Sequence, residues 1–179
     1  MSLIERARVF SIAAHEAVGQ RRKYSDEPYW HHPEHVANLL QKFATNAVTE
    51  EMIAAAWLHD VVEDTHVPLE TIRDLFGNTV YHLVENLTDI SRPQDGNRRA
   101  RKQKDLEHTQ QASPEAKSIK CSDLISNATS IVDNDPDFAV VWLREKEALL
   151  EVLTDADPGI YSEAVRVYQE CVRKLKKQA

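Results

Sequence analysis

The chain has 179 residues, enough for one domain with a substantial core. Its 42% hydrophobic and 28% charged residues fit a globular protein rather than a disordered or fibrous one. A formal net charge of −7 withholds the clustered basic surface on which nucleic-acid binding depends.

No apolar run approaches the ~18 residues of a membrane span, and no charged-then-apolar leader opens the sequence. The two cysteines, Cys121 and Cys171, form neither a disulfide framework nor a CxxC pair and read as small core residues. The expectation is a soluble, cytoplasmic protein with neither nucleic acid nor membrane as partner. An oligomer stays open.

Only 4 glycines and 7 prolines interrupt the chain, which favours long helices over many short strands. Leu3, Ala7, Phe10, Ala14 and Ala17 recur in steps of three and four and define a first helix, with Gly19 near its end. A polar loop from Arg21 to Pro28 leads to a second helix, with Pro33 in its first turn and Val36, Leu39, Leu40 and Phe43 facing inward. Thr49 caps a third, followed by Glu50 and Glu51 at the positive end of the dipole. It is apolar on most sides from Ile53 to Val62, so it should be the central helix, and its last turn is expected to run from His59 to Asp64.

Pro68 opens a fourth helix that stops at Gly77, and a fifth follows to about Leu87. The segment from Ser91 to Gln111 is the least hydrophobic and reads as a loop leading into an exposed helix. Ser113 and Pro114 then start a long helix to about Val132. Pro136 starts another with Trp142, Leu143, Leu149, Leu150 and Leu153 on its core face, and Ile160, Ala164, Val167, Cys171 and Leu175 mark the last. The expected fold is a single all-α domain over residues 1–179, a bundle of roughly eight to ten helices.

Four ionisable residues, His59, Asp60, Glu63 and Asp64, crowd the end of the otherwise apolar central helix. Acids at a helix C-terminus oppose the dipole, and ionised carboxylates lose several kcal/mol, in rough terms, when buried without partners. Hydration at an exposed helix end is one resolution; a metal cation is the other. His32, just before Pro33, and Asp123, in the middle of the apolar stretch from Ile119 to Ile131, are two further candidates. Taken singly, the first reads as a packed or exposed histidine and the second as a surface acid.

The order His32, His59-Asp60, Asp123 resembles the metal signature of HD-domain phosphohydrolases. The match extends through Ala14-His15-Glu16, Arg22-Lys23, Glu27-Pro28-Tyr29, His32-Pro33, the block Ala56-Trp57-Leu58-His59-Asp60-Val61-Val62-Glu63-Asp64-Thr65, Phe76-Gly77, Ser113-Pro114-Glu115-Ala116-Lys117, and Asn127. Together these look like the hydrolase domain of the RelA/SpoT family, and by length like its small alarmone hydrolases.

The resemblance implies an HD-domain bundle around one central ion, usually Mn²⁺, held by His32, His59, Asp60 and Asp123; imidazole and carboxylate ligands suit such an ion. It implies that Glu63 and Asp64 are catalytic and that Arg22, Lys23 and Asn127 contact substrate. The reaction implied is hydrolysis of the 3′-pyrophosphate of guanosine tetra- and pentaphosphate to GDP or GTP plus pyrophosphate. The basic run Arg98 to Lys104 is either a solvated helix face or a help in neutralising that pyrophosphate.

The chain departs from the family pattern at Leu124, where Arg or Lys is usual, at Cys121-Ser122 in place of Leu-Ala, and in the Tyr24-Ser25-Asp26 loop, which is longer by one residue and lacks its usual glycine. The loop change leaves adenosine alarmones open as substrates. The rival readings are an HD-type nucleotidase or phosphatase acting on another small nucleotide, and a non-catalytic alarmone-binding protein.

Overall fold

Every residue from Met52 to Leu58 is buried, as the all-round apolar pattern of the central helix requires. In the computed structural model, which describes residues 1–178, this helix is α3 (Glu50–Leu58), and α1 (Leu3–Ala17), α2 (His31–Phe43), α6 (Asn78–Leu87) and α8 (Pro114–Asn134) pack around it. The other helices are α4 (Val61–Asp64), α5 (Leu69–Phe76), α7 (Arg98–Gln110), α9 (Pro136–Val152) and α10 (Pro158–Gln178), with a 3₁₀ turn at Pro93–Asp95. The all-α expectation holds, and the described residues contain no strand. An isolated bridge between Arg21 and Pro28 closes the loop after α1.

The expected start signals hold. Thr49 accepts from the Met52 N–H and Ser113 from the Ala116 N–H. Pro33, Pro114 and Pro136 sit in first turns, where their missing donors cost nothing. Gly77 separates α5 from α6 at φ 86°, a conformation that a side chain disfavours.

One expectation is corrected. The central helix does not run on to Asp64; it stops at Leu58, and Asp60 sits at φ −99° and ψ −5° before the short α4. The cause is local. His59 Nδ1 lies 2.8 Å from the Ala56 carbonyl, the acceptor that an unbroken helix would offer to the Asp60 N–H. The break turns His59 and Asp60 toward α2 and α8.

Two apolar clusters form the interior. One gathers α1, α3, α5 and α6 around Trp57, Leu58, Ile72 and Val84. The other gathers α9 and α10 around Trp142, Leu143, Leu153 and Ile160. Helices α2 and α8 feed both: Leu40 and Ile119 belong to the first, Leu39 and Leu124 to the second. The two cysteines are free and buried in the second cluster, as expected.

Asp157 ties the start of α10 to the end of α2. Its carboxylate accepts from the backbone N–H groups of Thr45, Asn46, Gly159 and Ile160. Burial alone would raise this carboxyl, but those donors outweigh it and hold it down at about 2. Gly159 is required there, because a Cβ would lie 2.1 Å from the Phe43 carbonyl oxygen. Asp157→Ala removes a cap and a set of charge-assisted bonds, and is expected to cost about 2–4 kcal/mol of stability. Urea unfolding checks this, and a loss below about 0.5 kcal/mol would contradict the anchor.

Candidate metal centre

At the seam between the two clusters, side chains from α2, α8 and the α3–α4 break meet. His32 Nε2 lies 3.1 Å from Asp123 Oδ1 and 3.5 Å from Asp60 Oδ2. His59 Nε2 lies 3.0 Å from Asp60 Oδ2 and 3.9 Å from Asp123 Oδ1. Both imidazoles are buried, and candidate ligand atoms of His32, His59 and Asp123 all fall within 4.8 Å of one another. The structure thus brings together three separate stretches of the sequence: His32, the His59-Asp60 pair and Asp123.

The far side of each imidazole fixes which nitrogen faces the centre. His59 Nδ1 donates to the Ala56 carbonyl, so Nε2 carries the lone pair. That Nε2 is buried and has no hydrogen-bond partner despite the nearby carboxylates. His32 Nδ1 and His35 Nδ1 both lie 3.0 Å from Ser126 Oγ. Burial, then His32 and Arg22, push His35 down toward the neutral form. Ser126 Oγ thus braces the Nδ1 side of both rings, and His32 Nε2 is the nitrogen that faces the cluster.

Two inward-facing imidazole nitrogens beside two carboxylates call for positive charge between them. Without a metal, protons fill that role. Burial alone would lower the His59 imidazole, but Asp60 and Asp123 outweigh it and raise it to about 9. In the same way burial would raise the Asp60 and Asp123 carboxyls, yet His59 and His32 respectively, with Lys120 also beside Asp123, hold both well below the usual carboxylate range. The orphaned His59 Nε2 and the mixed imidazole–carboxylate donor set fit a divalent cation.

Around this cluster lies a shell of supports. The Tyr29 hydroxyl donates to Asp60 Oδ2 at 2.6 Å, and burial together with Asp60 drives that phenol upward, so it stays a donor. Asn127 Nδ2 donates to Asp123 Oδ1 at 2.8 Å, and Arg22 Nη1 donates to Asn127 Oδ1 at 3.3 Å. His15, kept toward neutral mainly by burial, has Nδ1 2.7 Å from Gln20 Oε1, and Gln20 Nε2 donates to Asp64 Oδ2 at 2.9 Å. Such outer contacts orient ligands and tune their basicity.

Glu63 and Asp64 flank the cluster on α4. Glu63 Oε1 accepts from the Asp89 N–H at 2.5 Å. Burial of the carboxyl raises it to about 7; Lys120 opposes this, while Asp89 and Asp60 add to it. Asp64 is also raised, by burial and then by Asp60. A carboxyl near 7 is suited to taking and giving protons at neutral pH.

Lys23 stands further out. Its ammonium is engaged by Asp135 at 3.2 Å and the Tyr24 hydroxyl at 3.1 Å, and it lies over the Phe138 ring. In the same loop Asp26 takes φ 56°, the left-handed region that Asp tolerates better than most residues. The basic run is largely paired: Arg98 with Glu145, Lys102 with Asp89, Lys104 with Asp95. At the C-terminal end Lys174 pairs with Asp133.

The residue pattern missed Gln20, His35, Ser126 and Lys120, and gave no role to His15 or Tyr29. Periodicity offered a signal for two of them. His15 follows the apolar stripe of α1 and is buried, and Lys120 lies within the buried run from Ala116 to Ile125.

The HD-domain family model matches residues 7–141. The chain belongs to the HD-domain family. Within it, the chain is 36% identical over 129 residues to the guanosine-3′,5′-bis(diphosphate) 3′-pyrophosphohydrolase MESH1 of Drosophila melanogaster, covering 71% of this chain and 68% of that protein. It is 46% identical over 90 residues to a probable enzyme of the same name from Synechocystis, covering 50% of this chain but 11% of that much longer one. A solved structure titled as a metazoan ortholog of SpoT that hydrolyses ppGpp shares the fold at a TM-score of 0.82 and 24% identity, covering 95% of this chain and 96% of that one. The Drosophila relative places this HD-domain chain on the RelA/SpoT-like small alarmone hydrolase branch. No described helix is long and apolar enough to cross a membrane.

The Glu63 shift has a consequence for the metal-free chain. Its folded value of about 7 lies above the ordinary glutamate range, so the stability tied to its protonated form is fully present below that range and is lost as pH rises through about 7. Glu63→Gln stays neutral throughout. Its urea midpoint relative to the parent is expected to shift in the variant's favour between pH 5 and pH 8; a constant difference would contradict the raised carboxyl.

Proposed function

We propose that this chain is a manganese-dependent hydrolase that removes the 3′-pyrophosphate from (p)ppGpp-type alarmones, giving GDP or GTP and pyrophosphate. The observation that carries the reading is the convergence of His32, His59, Asp60 and Asp123 on one point, with the His59 Nε2 lone pair left without a partner. It is joined by likeness to the Drosophila enzyme over two thirds of that protein. In this reading the whole of residues 1–179 acts as one cytoplasmic domain, and no nucleic acid or membrane takes part.

The four residues hold one divalent ion, which when bound supplies Lewis-acid polarisation of a phosphoryl oxygen and acidifies water. The remaining work belongs to the chain. Tyr29 fixes the orientation of Asp60 through its 2.6 Å bond, and Asn127 does the same for Asp123. Glu63, flanking the cluster on α4, accepts the proton of the attacking water and can return it to the departing 3′-oxygen. Asp64, held by Gln20, orients that water. Arg22, braced on Asn127 and near the Tyr29 ring, presents a planar cation to the base and ribose. Lys23 approaches the nucleoside from the loop edge. The Asp26 turn changes the shape of this base-facing loop, so (p)ppApp is included among the substrates.

Incubation with guanosine and adenosine tetraphosphates, with and without Mn²⁺, followed by chromatography, tests the reading. Intact pyrophosphate and a nucleoside diphosphate are expected only with metal. Orthophosphate as the product would make the chain a phosphatase, and tight binding without cleavage over hours would make it a sensor. Asp60→Asn is expected to lose metal binding and activity while its circular dichroism stays helical; normal turnover would remove Asp60 from the ligand set.

Tyr29→Phe keeps all four ligands and removes the hydroxyl bonded to Asp60. Its Mn²⁺ affinity is expected to fall by about 10–100-fold, read by calorimetric titration. An unchanged affinity would show that Asp60 needs no support.

A further inference from the structure

The C-terminal end of α1 carries an irregularity with a chemical consequence. Gly19 takes φ 64°, and two backbone bonds close the helix end: the Gly19 N–H donates to the Glu16 carbonyl at 3.0 Å and the Gln20 N–H to the His15 carbonyl at 3.1 Å. This is the Schellman arrangement, in which the side chains corresponding to His15 and Gln20 usually meet in an apolar contact. Here the contact is polar: His15 Nδ1 lies 2.7 Å from Gln20 Oε1. The Gln20 carbonyl in turn accepts from the Tyr29 N–H at 3.2 Å, so its backbone is held from both sides.

The other end of the Gln20 amide reaches the candidate site. Its Nε2 donates to Asp64 Oδ2 at 2.9 Å. A carboxylate only accepts, so the amide must turn its NH₂ to Asp64 and its oxygen to His15, and that oxygen requires the proton of His15 on Nδ1. The second nitrogen agrees. His15 Nε2 is buried and has no hydrogen-bond partner, and a proton placed there would be stranded away from water. Burial also holds the ring toward its neutral form. The opposite tautomer would therefore strand an N–H and turn the amide over, bringing its carbonyl oxygen against the Asp64 carboxylate. Asp64 itself lies on the exposed side of α4, where an unheld carboxylate samples several rotamers.

We propose that His15 and Gln20 form a positioning pair: the His15 imidazole orients the Gln20 amide, and the amide holds Oδ2 of Asp64 so that Oδ1 is left to engage the attacking water. The inference rests on the proposed function, in which Asp64 orients that water. It gives a role to His15, which the resemblance matched without assigning one, and it makes a helix end part of the reaction machinery.

Steady-state kinetics of the manganese-loaded chain on guanosine tetraphosphate test the pair. His15→Leu and Gln20→Leu are each expected to lower kcat by about tenfold or more, the size of a lost hydrogen bond to a charged group, with KM and calorimetric Mn²⁺ affinity within about threefold. His15→Asn, whose amide N–H can replace the imidazole Nδ1–H, is expected to return kcat to within about threefold of the parent. Because His15 acts through Gln20, the double variant His15→Leu with Gln20→Leu should be no slower than Gln20→Leu alone. Losses that multiply, or a parental kcat in His15→Leu, overturn the proposal. So does a fall in Mn²⁺ affinity that matches the fall in kcat, which would trace the effect to the packing of His15 on the Tyr29 ring, 4.8 Å away.

Nitrogen NMR of the metal-free chain decides the geometry without turnover, and without any variant that must fold around a lost imidazole. The expected His15 signals are a protonated Nδ1 and a bare Nε2, with the Gln20 amide protons protected from exchange. A proton on Nε2 with a bare Nδ1 overturns the pair. The two claims fail separately. A parent chain with the expected signals that cleaves no alarmone removes the proposed function and leaves the positioning pair. An active parent with the opposite tautomer removes the pair and leaves the activity.

Discussion

Two imidazole nitrogens and two carboxylate groups, all withdrawn from bulk water, share one small volume, and every other feature of this end of the molecule follows from how their charges are balanced. The Ala56 carbonyl and Ser126 hydroxyl hold the Nδ1 side of each ring and turn its Nε2 toward Asp60 and Asp123. Lone pairs and anions at this range repel unless something positive lies between. Protons can serve, which is why His59 is raised to about 9 in the metal-free chain. A divalent ion serves better, because it satisfies both rings and both acids at once and releases the protons they would otherwise hold.

The fold supplies this geometry by placing the residues where two apolar clusters meet. A site set within one core would bury the carboxylates beyond reach of substrate; one on a single exposed helix would leave them hydrated and mobile. Helices α2 and α8 contribute to both clusters and so cannot shift independently of either. His32 and Asp123 inherit that rigidity. His59 and Asp60 depend on a finer device, the break after Leu58, where a side chain captures the carbonyl that would have continued the helix. Placement on rigid elements with outer hydrogen bonds is what a precise site needs.

Much of this was legible in the residues. The helices announced themselves through three- and four-residue spacing, through Thr49 and Ser113 as caps and through Pro33, Pro114 and Pro136 in first turns, because these signals act within a few residues of one another. The four-residue cluster was legible only through the resemblance, since nothing local in His32 or Asp123 points to the other. The break at His59–Asp60 was hidden because apolar periodicity continues through Val61 and Val62; a competing side-chain bond leaves no trace in hydropathy. Gln20 and Ser126 were hidden because their partners lie 44 and 91 to 94 residues away in the sequence.

The central claim is that one cation sits among His32, His59, Asp60 and Asp123. Crystals grown with Mn²⁺ and measured for anomalous scattering address it without reference to turnover. The account predicts a single strong peak per chain at bonding distance from Nε2 of both histidines and from the Asp60 and Asp123 carboxylates. Anomalous peaks only at surface acids, with the imidazoles bonded directly to the carboxylates, would contradict it.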